Sequence, residues 1–197
     1  METFGEYLVN PEILEQSLGP EANRDQVFKA GEGAGRSGSF FFFSHDRKFI
    51  IKTMSKGELE LLLSMLPAMS AHFKKCPDSL LAKILGAFTV KTGSTDAVHL
   101  MLMENTLQLK NPDGLRYIFD LKGSLVDRKV TGKITNSTTM KDINFLLAAE
   151  ANPNFISLSD SDRVKLLRVV KSDADFLASQ GLMDYSLLVG IETLSDD

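Results

Sequence analysis

Apolar residues recur at helical intervals in several stretches of the chain, and polar caps mark where those stretches begin. Asn10 precedes a proline at a first helical position, and Ser55 has capping-box spacing to a glutamate three residues later. Pro67 is expected to kink or break the second helix before it continues to about residue 73. The predicted helices are residues 11–18, 56–73 and 142–149, and a longer one that begins after Ser159 or Ser161 and ends at Gly181.

Between these helices, short runs of aromatic and β-branched residues predict strands. Four phenylalanines at 40–43 and the apolar run at 48–53 flank a polar turn, which predicts a β-hairpin. The other predicted strands are the second half of 80–91 and residues 97–103, 115–121 and 187–191. Antiparallel strands with a helix inserted among them predict an α+β fold.

Composition and charge narrow the class of protein further. The 197 residues are 43% hydrophobic and 24% charged, which is ordinary for a globular chain, and the net charge of −4 shows no basic stripe of a nucleic-acid binder. Cys76 is the single cysteine, which fits a reducing compartment. The acidic N-terminus lacks the order of a secretory signal, and the most apolar run, 59–71, is too short and too interrupted to span a membrane. We expect a soluble cytoplasmic chain.

Residues 33–38, Gly-Ala-Gly-Arg-Ser-Gly, match the pattern G-x-G-x-x-G, which a plain flexible turn would also satisfy. A dinucleotide-binding loop requires a helix directly after the glycines, whereas Ser39 and four phenylalanines follow here. A Walker loop requires a lysine before the serine, and none is present. A glycine-rich loop ahead of a strand is the arrangement that covers ATP phosphates in kinases.

Lys52 stands near the end of the second hairpin strand, where a kinase places a lysine that neutralises nucleotide phosphates. Such a lysine is oriented by a glutamate on the next helix, and both Glu58 and Glu60 are available. A solvated lysine at a strand end is the plain alternative. Residues 103–106 close an apolar strand and either form a hinge between two lobes or an ordinary loop.

Two further polar segments carry candidate chemistry. Residues 120–124, Asp-Leu-Lys-Gly-Ser, place Lys122 at a strand end before a glycine, which is either a turn or a second lysine beside a phosphate site. Asp184 follows the helix-ending Gly181 and precedes an apolar strand, so its carboxylate is held at a corner with apolar residues on both sides. The plain alternative for Asp184 is that it caps a turn.

Three of these segments, in order, resemble the signature segments of phosphatidylinositol phosphate kinases. They are residues 49–53, Phe-Ile-Ile-Lys-Thr; residues 119–124, Phe-Asp-Leu-Lys-Gly-Ser; and residues 183–191, Met-Asp-Tyr-Ser-Leu-Leu-Val-Gly-Ile. The glycine-rich loop is similar too, with Arg36 where lysine is usual. The resemblance covers about residues 33–191 and implies a kinase-like α+β fold. It implies an N-terminal extension over 1–32 and a partial kinase domain over 33–197, with an antiparallel nucleotide lobe to about 104 and the start of a second lobe at 105–197.

The resemblance also implies roles for single residues. Lys52 binds the α- and β-phosphates of ATP, Lys122 sits near the transferred phosphate, and Asp184 orients or deprotonates the attacking inositol hydroxyl. The other residues assigned to nucleotide binding are Gly35, Ser37, Gly38 and Ser39 in the loop, and Met103 and Glu104 at the hinge. Together with Mg²⁺, these groups suffice for a reaction that depends on positioning and charge neutralisation. We expect Lys52, Lys122 and Asp184 to converge on one cleft.

The implied activity is phosphorylation of a membrane phosphatidylinositol phosphate by ATP, with the chain peripheral at the membrane surface. The family continues into an Ile-Ile-Asp segment that holds the metal and a loop that recognises the lipid headgroup, and the sequence ends at Asp197 before either. No metal ligand is therefore assigned, and the inositol hydroxyl that is attacked is left open. We expect a second copy or a partner chain to complete the site. The alternative is a truncated, non-catalytic binding or scaffold subunit.

Overall fold

The computed structural model describes residues 10–24, 31–32, 39–93, 96–107, 114–135, 138–152 and 155–192. The chain divides into two compact units. Unit 1 comprises Met1–Pro77 and Leu81–Asn105, and unit 2 comprises Asp78–Leu80 and Thr106–Asp197. Each unit combines helices with a sheet, so the predicted α+β class is confirmed.

Unit 1 is built on a five-stranded antiparallel sheet with helices at its start and in its middle. The helices are α1, Pro11–Leu18, α2, Pro20–Asn23, and α3, Lys56–Lys75. The strands are β1, Gly31–Glu32, β2, Phe40–Phe43, β3, Phe49–Met54, β4, Ile84–Val90, and β5, Val98–Glu104. Their order across the sheet is β1-β2-β3-β5-β4, so β3 lies at its centre.

The predicted hairpin between β2 and β3 is confirmed, and its register is fixed by Phe41 opposite Lys52 and Phe43 opposite Ile50. No helix begins between residues 39 and 43, which is where a dinucleotide-binding loop would require one. The turn at 44–48 closes through the backbone bond from Ser44 N to Phe49 O at 3.0 Å. The glycine-rich segment at 33–38 lies outside the described residues.

The turn of this hairpin is held by α1 and α2. Ser17, which is 1% exposed, donates its hydroxyl to Asp46 Oδ2 at 2.7 Å, and Ser44 donates to Asp46 Oδ1 at 2.7 Å. Asn23 accepts from the backbone N–H of His45 at 2.9 Å. The N-terminal helices are therefore hydrogen-bonded to the hairpin turn through the side chains of Ser17 and Asn23.

Helix α3 begins with the predicted capping box: Ser55 Oγ accepts from Glu58 N at 3.2 Å, and Ser55 N donates to Glu58 Oε2 at 2.7 Å. The helix continues through Pro67 to Lys75, so the expectation that Pro67 could break it is not met. Pro67 removes the amide that would bond to the Leu63 carbonyl. Both residues are exposed, so water can replace that bond on the outer face of the helix.

The core of unit 1 lies between the sheet and α3. Its buried apolar side chains are Phe49, Met54, Leu62, Met65, Met69 and Leu102. Three of them recur on α3 at spacings of three and four, which is the period that places residues on one face of a helix. These three residues therefore define the face of α3 that packs into the core.

Unit 2 contains a three-stranded sheet and two helices. The strands are β6, Leu115–Leu121, β7, Thr139–Lys141, and β8, Leu187–Glu192, and the helices are α4, Asp142–Ala151, and α5, Asp160–Ser179. The central β6 pairs in parallel with β7 and antiparallel with β8. The sequence pattern did not predict β7, because its three residues are too few to show a period.

Aromatic rings fill the core of unit 2. Phe119 of β6 is fully buried, and its ring meets Phe145 at 5.2 Å and Phe155 at 5.9 Å between centroids, both edge to face. Tyr117 meets Phe155 at 5.4 Å in the same geometry. Edge-to-face contacts add to the apolar area that the rings bury, so this cluster fixes α4 against the middle of β6.

The end of α5 sets up the corner that precedes β8. Gly181 has a φ of +69°, and the N–H of Leu182 bonds to Leu177 O at 3.1 Å while that of Gly181 bonds to Ala178 O at 3.0 Å. This pair of bonds is a Schellman motif, which ends a helix and requires a residue that tolerates positive φ. Within the described ranges, no helix is both long enough and apolar enough to cross a membrane.

Candidate active site

Lys52 lies at the centre of the sheet of unit 1, opposite Phe41 of β2 and Met101 of β5. Its amine is 3.2 Å from Glu58 Oε1 and 5.9 Å from the centre of the Phe41 ring. The other oxygen of Glu58 accepts from the Ser55 N–H. One carboxylate therefore both caps α3 and orients the lysine.

The bond from the Ser55 N–H is the largest influence on the pKa of Glu58; burial opposes it and Lys52 reinforces it, so the pKa is lowered. Glu60, the other candidate partner, instead pairs with Lys56 at 3.7 Å, and both of those side chains are exposed. Of the two glutamates that the sequence offered, Glu58 and not Glu60 is the partner of Lys52 in this structure.

Three predicted loop residues, Gly35, Ser37 and Gly38, lie outside the described residues. Ser39 is described, and it directly precedes β2. The next residue, Phe40, donates its N–H to the hydroxyl of Thr53 at 2.9 Å, which joins the start of β2 to the end of β3. Ser39 therefore stands one residue before a fixed point of the hairpin that also carries Lys52.

Met103 and Glu104 close β5. Met103 pairs with Ile50 of β3 and Ile84 of β4. The N–H of Glu104 donates to the Lys83 carbonyl at 3.0 Å, and the Glu104 carboxylate lies 3.7 Å from the Lys83 amine. The following Asn105 is buried and donates to Arg47 O at 2.7 Å. The end of β5, which the sequence assigns as a hinge, is therefore bonded to β3, to β4 and to the hairpin turn.

In unit 2 the amine of Lys122 donates to Oδ1 of Asp184 and forms an ion pair with it. The antiparallel pairing of β6 and β8 explains the meeting, because Leu121 pairs with Leu187 and the two charged residues flank that pair. The Asp184 side chain is 83% exposed, and its backbone has a φ of +64°. Lys122 and Asp184 are thus brought together, whereas convergence with Lys52, which belongs to the other unit, stays a prediction.

The sequence interpretation assigned no site role to two residues that bond to the Lys122 segment, Asp142 and Arg128. Asp142 Oδ1 accepts from the backbone N–H groups of Lys122 at 3.0 Å and Gly123 at 2.8 Å, and Asp142 Oδ2 accepts from Arg128 Nε at 2.7 Å. A guanidinium nitrogen of Arg128 also donates to the carbonyl of Asp120 and to its carboxylate, the latter at 3.0 Å. An arginine in a loop and an aspartate at a helix start are ordinary in sequence, so only their burial distinguishes them.

The charges of this buried cluster support each other. Burial acts to raise the pKa of Asp142, but the bonds from Arg128 and from the amides of Gly123 and Lys122 hold it below its usual value. Burial likewise acts to lower the pKa of Arg128, and its bonds to Asp142 and Asp120 raise it. Both groups are therefore ionised over the physiological range, as a paired buried ion must be.

Catalysis by a kinase also requires a metal ion, usually held by carboxylates. In the part of the chain that the structure describes, no three His, Cys, Asp or Glu side chains lie close enough together to hold one. The carboxylate of Asp184 is engaged with Lys122.

Comparison with known proteins places this geometry in context. Residues 22–197 match the family model described as Phosphatidylinositol-4-phosphate 5-Kinase. A probable phosphatidylinositol phosphate kinase of Dictyostelium discoideum is 42% identical over 174 residues, which cover 84% of this chain and 23% of that protein. Phosphatidylinositol 4-phosphate 5-kinase 1 of Arabidopsis thaliana is 34% identical over 83% of this chain and 21% of its own length. The Schizosaccharomyces pombe phosphatidylinositol 4-phosphate 5-kinase its3 is 35% identical over 83% of this chain and 22% of its own length. The chain therefore spans little more than a fifth of these relatives.

Proposed function

This chain belongs to the phosphatidylinositol-4-phosphate 5-kinase family, and on that basis we propose that it carries part of the site where ATP phosphorylates an inositol lipid. The family resemblance drawn from the three sequence segments is thereby confirmed. The relatives are named for phosphorylation of phosphatidylinositol 4-phosphate at the 5-position. That lipid is the substrate we propose for the protein to which these residues belong.

The ion pair of Lys122 with Asp184 is the observation that carries the proposal. It joins two residues that two separate family segments assign to the chemical step. Asp184 stands on a left-handed backbone and its side chain is 83% exposed, so an acceptor hydroxyl can approach the carboxylate from solvent. A base must lie within hydrogen-bond reach of the proton that it accepts, and the exposure of this carboxylate supports the proposed role.

The proposed step is a single phosphoryl transfer. Asp184 orients the inositol hydroxyl and accepts its proton as the hydroxyl oxygen bonds to the γ-phosphorus of ATP. The bond between that phosphorus and the oxygen bridging to the β-phosphate breaks, and ADP leaves with the bonding electrons. Lys122, beside Asp184, neutralises charge on the transferred group, which is the main contribution that a protein makes to this reaction.

Unit 1 supplies the proposed nucleotide contacts. Lys52 binds the α- and β-phosphates, with Glu58 fixing the direction of its amine. The glycine-rich loop covers the phosphates through close backbone approach, and the end of β5 borders the nucleotide. The residues proposed for these contacts are Gly35, Ser37, Gly38, Ser39, Met103 and Glu104.

Magnesium neutralises phosphate charge when it accompanies ATP, and the ligands that hold it are proposed to lie outside the described residues. Binding of the chain at the surface of a membrane on its cytoplasmic side follows from the lipid substrate. Completion of the site by a second copy or a partner chain is proposed as well.

The direct test uses the full-length protein to which these residues belong, with radiolabelled ATP and vesicles of phosphatidylinositol 4-phosphate in a neutral lipid. Wild type should form labelled bisphosphate, and separation of the positional isomers identifies the hydroxyl. Asp184→Asn should lower turnover about 100-fold or more, since it removes the base. Lys171→Met is the control, because Lys171 forms an exposed ion pair with Asp175 on α5. Vesicle binding without any turnover would favour the non-catalytic alternative.

A further inference from the structure

The backbone of the segment that carries Lys122 is hydrogen-bonded to one buried carboxylate, that of Asp142. Asp142, the first residue of α4, is 7% exposed, and a single oxygen of its side chain accepts from two consecutive amides, those of Lys122 and Gly123. Gly123 has a φ of +68°, a conformation that glycine adopts without strain. The peptide next to Lys122 is therefore held at two adjacent N–H groups rather than at one.

Arg128 holds the same segment through bonds to both Asp142 and Asp120. Its Nε donates to Asp142 at 2.7 Å, and a terminal nitrogen donates to the carbonyl and the carboxylate of Asp120, two residues before Lys122. Arg128 is 9% exposed and Asp142 is 7% exposed, so the bond between these two charged groups is largely removed from water. Such bonds are stronger than neutral ones and restrict the geometry more tightly.

The loop is joined to α4 by additional bonds. Asn144 accepts from the Val130 N–H at 2.8 Å and donates to the Val130 carbonyl at 3.0 Å. The Ile143 N–H donates to the carbonyl of Arg128 at 3.0 Å. The loop from 122 to 130 is therefore fastened to the first turn of α4 at both of its ends, and Lys122 is the residue in it whose amine reaches Asp184.

We propose that Asp142 and Arg128 are positioning residues for the reaction: they act through Lys122 and hold its amine where it meets Asp184. The proposal rests on the proposed function. A lysine side chain is long and flexible, so the backbone from which it starts decides how often its amine occupies one place. Displacement by about 1 Å of a group that must meet a transition state can lower the rate about 100-fold.

A double-mutant cycle in the phosphorylation assay separates positioning from plain stabilisation. Asp142→Asn should lower kcat at least tenfold and change the KM for ATP less than twofold, because Lys122 acts on the transferred phosphate. In a Lys122→Met background the same substitution should cause no further loss of kcat. If the losses of the two single variants instead multiply, Asp142 does not act through Lys122 and the proposal is overturned.

Asp173→Asn is the matched control. Asp173 is 6% exposed in the same unit, and its carboxylate accepts from the Ser79 hydroxyl and the Leu80 N–H, each at 2.7 Å. A general loss of stability would lower kcat equally in this variant and in Asp142→Asn. We expect Asp173→Asn to keep the wild-type kcat for the folded fraction, measured by far-UV circular dichroism.

A second readout does not depend on turnover. In the ligand-free 197-residue chain, the ¹⁵N ammonium resonance of Lys122, identified by its loss in Lys122→Met, should shift in Asp142→Asn and stay in place in Asp173→Asn. Arg128→Lys should also shift the Lys122 resonance, because lysine keeps the charge but lacks the planar guanidinium that bonds both aspartates. If Asp142→Asn fails to fold, Arg128→Lys replaces it in this measurement. An unchanged ammonium resonance overturns the positioning role. Absence of wild-type turnover together with the expected shift would contradict only the proposed function.

Discussion

Lys122 and Asp184 stand 62 positions apart in the sequence, yet they form an ion pair at the junction of β6 and β8. Asp184 adopts a left-handed backbone, which aspartate and asparagine tolerate better than other residues with a side chain. The first prediction is that Asp184→Gly removes the carboxylate without loss of stability, whereas Asp184→Ala costs about 1 kcal/mol of unfolding free energy. Urea unfolding measures both, and equal stabilities would contradict the strain argument.

Glu58 serves two partners, and two substitutions can separate them. Glu58→Gln keeps an acceptor for the Ser55 N–H, so the capping box survives, but the charge that orients Lys52 is lost. We expect unchanged thermal stability and weaker ATP binding for Glu58→Gln. Glu58→Ala should in addition lose about 1 kcal/mol, the usual value of a cap. Calorimetric titration with ATP and thermal unfolding provide the two measurements, and Glu60→Gln is the exposed control on the same helix.

Asp46 should make the stability of unit 1 depend on pH. Burial acts to raise its pKa, but the bonds from Ser17, Ser44 and Lys48 hold it well below the ordinary value of 3.8. Because the folded pKa is depressed, the stabilising contribution is present above about pH 4 and is lost as the pH falls toward the folded pKa. Asp46→Asn should therefore destabilise by on the order of 2 kcal/mol at pH 7 and by progressively less below pH 4.

Urea unfolding across this pH range tests the Asp46 prediction. Ser17→Ala removes one of the donors and leaves the ion pair between Asp46 and Lys48, 3.2 Å apart. The difference in unfolding free energy between Ser17→Ala and wild type should therefore change less with pH than the difference between Asp46→Asn and wild type. A difference between wild type and Asp46→Asn that stays constant from pH 7 to pH 2 would show that the charge of Asp46 is not responsible.

Pro67 offers a gain rather than a loss of stability. It lies in the interior of α3 on an exposed face, where proline forfeits one backbone bond. Pro67→Ala restores the amide for the Leu63 carbonyl and should raise the free energy of unfolding by about 1 kcal/mol or more, less the entropy that proline removes from the unfolded chain. Thermal unfolding is the measurement. A lower midpoint would mean that α3 requires the geometry that proline imposes.

Local sequence patterns determined most of the secondary structure and the identity of most candidate residues. The capping box at Ser55, the hairpin around 44–48 and the glycine that ends α5 were all predictable, because each depends on residues within a few positions of one another. The continuous α3 was not, since proline in a helix depends on which face meets water. The three kinase-like segments also named Lys52, Lys122 and Asp184 without any coordinates.

Only the tertiary structure decided which of these residues meet and what supports them. Burial and distance belong to the folded chain, and the pairing of β6 with β8 is what brings Lys122 to Asp184. The same holds for Asp142 and Arg128, which are common residue types in unremarkable sequence positions until folding removes them from water. Sequence patterns report periodicity and local turns, whereas a network of buried charges arises from contacts between distant segments, for which a single sequence carries no periodic signal.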